Sequence, residues 1–195
     1  MREELDRLLD GLRELHGALR EGVRAKWKRS LPFEEELFDR WERAAFLGLG
    51  QGTSIYQQSY IYGDVRVGEH TWIGPMTILD GTGGLTIGDY CSISAGVQIY
   101  THDTVKWALT GGKAKYEYAP VRIGNCCHIG ALSVIARGVT VGDHCVVGAH
   151  SFVKRDVPPH TVVVGSPARP IAQVIMADEG EVRLVPMDAP QKADA

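Results

Sequence analysis

Seven histidines and four cysteines are the residues of this sequence best suited to catalysis. Imidazole titrates near pH ~6.5, so a well-placed histidine can take a proton from a hydroxyl or an amine at neutral pH. The cysteines show no CxxC spacing and no secretory context. Cys91, Cys127 and Cys145 fall at equivalent, inward positions of a repeat described below and read as buried structural thiols; only Cys126 points elsewhere. His70, His144 and His150 occupy outward positions of regular repeats, His16 lies in a helical stripe, and His160 follows two prolines. His128 ends a repeat just past an irregular segment and is a candidate to line a cleft. His102 alone stands where the repeat breaks, and it is the candidate general base. Asp103 follows it and could orient the ring or bind a substrate, although neighbours in an extended chain point apart. Tyr100, Trp107, Tyr116 and Tyr118 supply aromatic faces, and Asp80, Asp103 and Asn125 supply polar groups. Aromatic faces stack on the apolar faces of sugar rings while carboxylates and amides bind hydroxyls, so this mixture suits a sugar better than a simple amino acid.

A period of six positions these residues. Aliphatics recur at Leu49, Ile55, Ile61, Val67, Ile73 and Leu79. The series slips by two residues through Gly81, Gly83 and Gly84, and resumes at Ile87, Ile93 and Ile99. After a gap of 24 residues it continues at Ile123, Ile129, Ile135, Val141, Val147 and Val153. A glycine often follows the aliphatic, and the fifth position of each hexad is small or β-branched. Two inward positions per hexad, one large and one small, fit a short strand and a bend, and three hexads close a triangular coil. The sequence therefore predicts an all-β-dominant parallel β-helix of about five coils, roughly 24 Å tall at the spacing of paired strands. A sandwich would need hairpin signals and an α/β sheet would need intervening helices, and neither occurs between residues 49 and 163. The long gap places one protruding loop at 103–120, and long excursions from a compact domain are often functional.

Residues 1–48 form an N-terminal helical segment. Leu5, Leu8, Leu12, Leu15 and Leu19 make a helical stripe, Ser30-Leu31-Pro32 breaks it, and Phe33 to about Gly48 marks a second amphipathic helix. Its expected role is to cap the open first coil. The β-helix occupies 49–172, and 173–195 is a C-terminal tail in which 181–185 adds a strand and the last ten residues are disordered. A net charge of −3 and a pI of about 6.2 offer no basic field for nucleic acid. No apolar run approaches the roughly 18 residues of a membrane span, and the acidic N-terminus is unlike a signal peptide, so a cytoplasmic location is expected.

The repeats, together with GDYCSISAGVQIYTHD at 88–103, APVRIGNCCHIGALSVIARGVTVGDHCVVGAHSFVKRDVPP at 119–159 and VVGSPARPI at 163–171, resemble the hexapeptide-repeat acyltransferases, in particular the sugar and polysaccharide acetyltransferases. The resemblance covers about residues 49–172. It implies a left-handed helix, a homotrimer whose loop reaches the neighbouring prism, and a histidine equivalent to His102 in the intersubunit cleft. It implies acetyl-CoA as co-substrate and no metal, with Ala131 and Ala149 beside the pantetheine arm and Lys154 and Arg169 near the phosphates. Arg155 competes for that last role. The implied acceptor is a small molecule or glycan, acetylated on a sugar hydroxyl. A nucleotide-linked amino sugar remains an alternative, followed by antibiotics and serine. A γ-type carbonic anhydrase shares the prism but needs three converging histidines, and a non-catalytic scaffold would need neither the loop nor His102.

Overall fold

The computed structural model describes residues 1–177 and 180–187. Its aliphatic residues stack in three columns, one per face of a triangular prism. On the first face Ile55, Ile73, Ile93, Ile129, Val147 and Val163 pair in parallel register. On the second, Ile61, Leu79, Ile99, Ile135 and Val153 do the same. Val67, Ile87, Ile123, Val141 and Val157 form the third. The five coils expected from the hexads are present, and a sixth begins at Thr161–Gly165. The column side chains fill a single core, in which Ile55, Ile73, Ile93 and Ile129 are wholly buried.

The corner between the third and first faces repeats one pattern coil after coil. Asp89 Oδ1 accepts from the Glu69 N–H at 2.7 Å, Asn125 Oδ1 from Asp89 at 2.9 Å, and Asp143 Oδ1 from Asn125 at 2.7 Å. These caps explain the glycine after the aliphatic, because a Cβ at Gly68, Gly88 or Gly124 would collide with the capping oxygen of the next coil. Inside the same corner Thr53, Thr71, Cys91, Cys127 and Cys145 each donate to a carbonyl of the following coil, at 2.7–3.1 Å. The three cysteines are buried rungs of that ladder, and Cys126 is exposed.

The N-terminal segment holds α1 (Arg2–Trp27), α2 (Phe33–Leu37) and α3 (Arg40–Phe46). The single helix expected after Pro32 is divided, because Asp39 accepts from the Trp41 and Glu42 N–H groups and starts a new one. α2 bonds the first coil through Glu34 and Glu35 to Gln58, and α3 caps the prism. Its Ala44 enters the core, and the Arg43 guanidinium binds the carbonyls of Tyr56 and Ser59. α1 rests on α2 through the His16 ring against Phe33, leaving Leu5, Leu8, Leu12 and Leu15 exposed.

At the other end Thr161–Gly165 pairs antiparallel with Ala168–Met176, which pairs with Val182–Pro186. The added strand expected at 181–185 is therefore present, and the boundary drawn at 172 falls inside Ala168–Met176. Residues 188–195, the greater part of the disordered ending expected from the sequence, lie outside the described residues. Among the described residues no helix is long and apolar enough to cross a membrane.

Regularity fails at the corner between the second and third faces. Tyr60–Val67 and Ile78–Ile87 run round it as two long paired strands whose register shifts between Gly63 and Val65. The two-residue slip in the sequence is absorbed here. One coil later the loop leaves the same corner as a small hairpin, His102–Asp103 antiparallel to Glu117–Tyr118, with α4 (Val105–Leu109) at its tip.

Candidate active site

The slip and the loop meet at one contact. His102 Nδ1 lies 2.6 Å from Asp80 Oδ2. An ionised carboxylate only accepts, so Nδ1 carries the hydrogen and Nε2 is left with its lone pair. The Asp80 side chain is only 2% exposed. Burial by itself raises its pKa, but hydrogen bonds from the Thr82 hydroxyl, the Thr101 and Thr82 N–H groups and His102 outweigh that and hold it well below the usual carboxylate range. Asp80 is thus a fixed negative charge that sets the imidazole's tautomer. Thr101 locks the arrangement, its hydroxyl donating to the Asp80 carbonyl and accepting from Gly83 N–H, both at 2.8 Å.

Asp80 was expected among the acceptor contacts. The structure corrects this, since the side chain is buried with both oxygens engaged, and its place is behind the histidine. Asp103 does not orient the ring. Its Oδ1 accepts from the Val105 N–H at 2.6 Å at the start of α4, and Oδ2 lies 3.8 Å from Arg137 Nε. Arg137 also binds Glu117 at 2.7 Å, and Lys106 binds Glu117 at 2.5 Å, so a charge cluster pins the hairpin to the next coil. Thr82, Thr101 and Arg137 escaped the sequence reading; the slip at Gly81–Gly84 was the one signal pointing to the first two.

The aromatic residues do gather round His102. Ring centroids of Tyr100, Tyr116 and Tyr118 lie 6.4, 6.5 and 6.1 Å from the imidazole, and Trp107 packs edge-on against Tyr116 at 5.5 Å. Burial and the Asp80 charge push the Tyr100 phenol up, and its hydroxyl donates to Gln98 at 2.8 Å. Asn125 does not join them. It belongs to the third–first corner, where its amide oxygen caps Asp89. His128 is exposed on the first face, paired with Ser92 and Val146, and is likewise away from this corner.

The residues assigned to the donor form two groups. Ala131 and Ala149 stack at the first–second corner, where His150 N–H bonds the Ala131 carbonyl at 2.9 Å. Lys154, Arg155 and Arg169 line one cavity of about 220 Å³ near the C-terminal end, with Val163 and Ala168. Within one chain the second face separates the alanine corner from the corner of His102.

The sequence matches the bacterial transferase hexapeptide (six repeats) family over residues 120–155 and the hexapeptide repeat of succinyl-transferase over 64–101. The galactoside O-acetyltransferase of Escherichia coli K12 is 32% identical over 153 residues, 76% of this chain and 74% of that protein. The chain belongs to the hexapeptide-repeat acetyltransferase family. Among solved structures this acetyltransferase is similar to a hexapeptide-repeat-containing acetyltransferase of Vibrio cholerae complexed with acetyl coenzyme A. That similarity has a TM-score of 0.60 and 30% identity over 84% of this chain and 87% of that one. It is also similar to an N-acyltransferase from Bacillus cereus in complex with dTDP and coenzyme A, with a TM-score of 0.58 and 25% identity over 68% of this chain and 88% of that one.

Proposed function

We propose that this protein transfers acetyl from acetyl-CoA to a hydroxyl of a sugar, in a glycan or its precursor, with His102 as general base. The observation that carries the reading is the His102–Asp80 pair inside a ring of aromatic faces. The galactoside O-acetyltransferase and the acetyl-CoA-bound relative support the acceptor and donor classes. The thioester supplies an already activated acetyl group, so no covalent enzyme intermediate is required. His102 Nε2 takes the hydroxyl proton as the oxygen attacks, Asp80 stabilises the imidazolium, and the proton then passes to the leaving sulfur. Tyr100, Trp107 and Tyr118 hold the sugar by its apolar faces, with Asp103 available to a hydroxyl at the hairpin. Ala131 and Ala149 let the pantetheine arm approach the backbone, and Lys154 and Arg169 meet the CoA phosphates.

A homotrimer accounts for the separation of the two corners, since the alanine corner of one prism set against the loop of the next completes each site. Because acetyl-CoA is a cytoplasmic metabolite, the reading places the reaction in the cytoplasm, as a step of polysaccharide synthesis. The relative with bound dTDP favours a second reading, N-acetylation of a nucleotide-linked amino sugar. A panel of sugars, nucleotide-linked amino sugars, serine and antibiotics, assayed for CoA release with mass spectrometry of the product, tests both. Turnover confined to serine or antibiotics overturns the sugar acceptor and leaves the acetyl transfer standing.

A further inference from the structure

The aromatic faces at the candidate site do not stop at the loop. Tyr60 and Tyr62, two coils below, lie on the outer side of Tyr60–Val67, because residues two apart on a strand share a face. Their rings stack 12° from parallel with centroids 6.3 Å apart, and both are at least half exposed. Register ties them to the base. Tyr62 pairs with Asp80, whose carboxylate holds His102, and Leu79 pairs with Ile99, which precedes Tyr100. Tyr62 and Tyr100 are therefore two coil rises apart, about 10 Å, along one edge of the prism. Tyr60 starts the second face, and at the first–second corner beside it lies a cavity of about 580 Å³ lined by Glu34, Gln57, Gln58, Tyr60, Met76 and Ile78. That volume falls in the range of small-molecule sites. The hexad pattern explains neither the exposed tyrosines nor the cavity, since outward positions of a regular coil need only be polar.

We propose that Tyr60, Tyr62 and the Glu34–Gln57–Gln58 cavity form additional acceptor subsites, and that the acceptor is a chain of linked sugars rather than a single ring. This rests on the sugar-hydroxyl reading above. Aromatic faces alternating with amides and a carboxylate match a polymer of sugar rings, each with two apolar faces and a rim of hydroxyls. Charge separates this ligand from a nucleotide-linked sugar: among the described residues no lysine or arginine lines the cavity, and the Glu34 carboxylate would repel a diphosphate. The end of the chain lies under His102, and the preceding rings run down to Tyr62 and then across the second face over Tyr60 into the cavity.

The test compares methyl glycosides with linear tetrasaccharides of glucose, galactose, mannose and N-acetylglucosamine as acceptors. It uses the full-length protein and CoA release. The expected result is a higher kcat/KM for a tetrasaccharide than for its own methyl glycoside. Tyr62→Ala and Tyr60→Ala should each lower that ratio about tenfold, the effect of losing one ring contact of about 1.4 kcal/mol. Tyr62→Phe keeps the ring and should keep the ratio, as should Phe46→Ala, which removes an exposed ring elsewhere. The side chains are external, and melting temperature checks that the variants fold. Equal kcat/KM for short and long acceptors, or a ratio untouched by both alanine variants, overturns the proposal while leaving the sugar reading intact. Turnover confined to nucleotide-linked sugars also overturns it. No turnover of any sugar removes the sugar reading and the subsites together.

Discussion

Two corners of the same prism solve the same turn differently. At the third–first corner every coil spends its polar groups on the next coil, with Asp89, Asn125 and Asp143 capping N–H groups outside and Thr53, Thr71 and the three cysteines bonding carbonyls inside. At the second–third corner two inserted residues and one inserted loop break the register, and the freed groups turn to one another. Asp80 is buried there, yet its hydrogen bonds outweigh the desolvation cost and keep it charged. In a solenoid, regular register satisfies the backbone, and departures from it make room for chemistry.

The largest test of that contrast is His102→Ala, which should lower kcat by roughly 10²–10⁴-fold. Melting temperature should change little, because the side chain is part-exposed and leaves the coils untouched. Activity within a few-fold of the parent would mean the irregular corner is not the reacting one.

Asp80→Asn comes next, with an expected loss in kcat of roughly 10²-fold through the wrong imidazole tautomer. It also carries a pH signature. The folded pKa of Asp80 is depressed, so its stabilisation is fully present above the unfolded value of ~3.9 and is lost as pH falls through the folded value. The gap in melting temperature between parent and Asp80→Asn should therefore narrow as the solution is acidified below pH ~4. A gap that widens on acidification would mean that the carboxylate is not held ionised.

Lys154→Ala and Arg169→Ala should each raise the KM for acetyl-CoA about tenfold, the worth of one charge-assisted contact, with little change in the KM of the acceptor. Equal effects on both substrates would remove the phosphate role from the shared cavity.

The regular corner should respond in stability alone. Cys145→Ala leaves the Pro158 carbonyl without its donor and should cost about 1–3 kcal/mol in denaturant titration at unchanged kcat. Cys145→Thr restores a donor of the kind already used at Thr53 and Thr71, and should stay within about 1 kcal/mol of the parent. A loss of activity in Cys145→Thr would break the division between the two corners.

Much of this was legible in the sequence because a solenoid is a local code. Each hexad states its own inward and outward positions, so the faces, the buried cysteines and the departure of the loop at His102 follow from spacing alone. The slip at Gly81–Gly84 was equally visible as an interruption, but its meaning was not. Asp80 and His102 lie 22 residues apart, and only stacking of successive coils turns that separation into a 2.6 Å hydrogen bond. The same stacking withdrew Asp80 from the cleft, sent Asn125 to a different corner and brought Tyr62 onto the edge below the base. Sequence determined which residues face outward on each coil. Which outward residues become neighbours depends on inserts that shift register between coils, and that is a property of the folded stack.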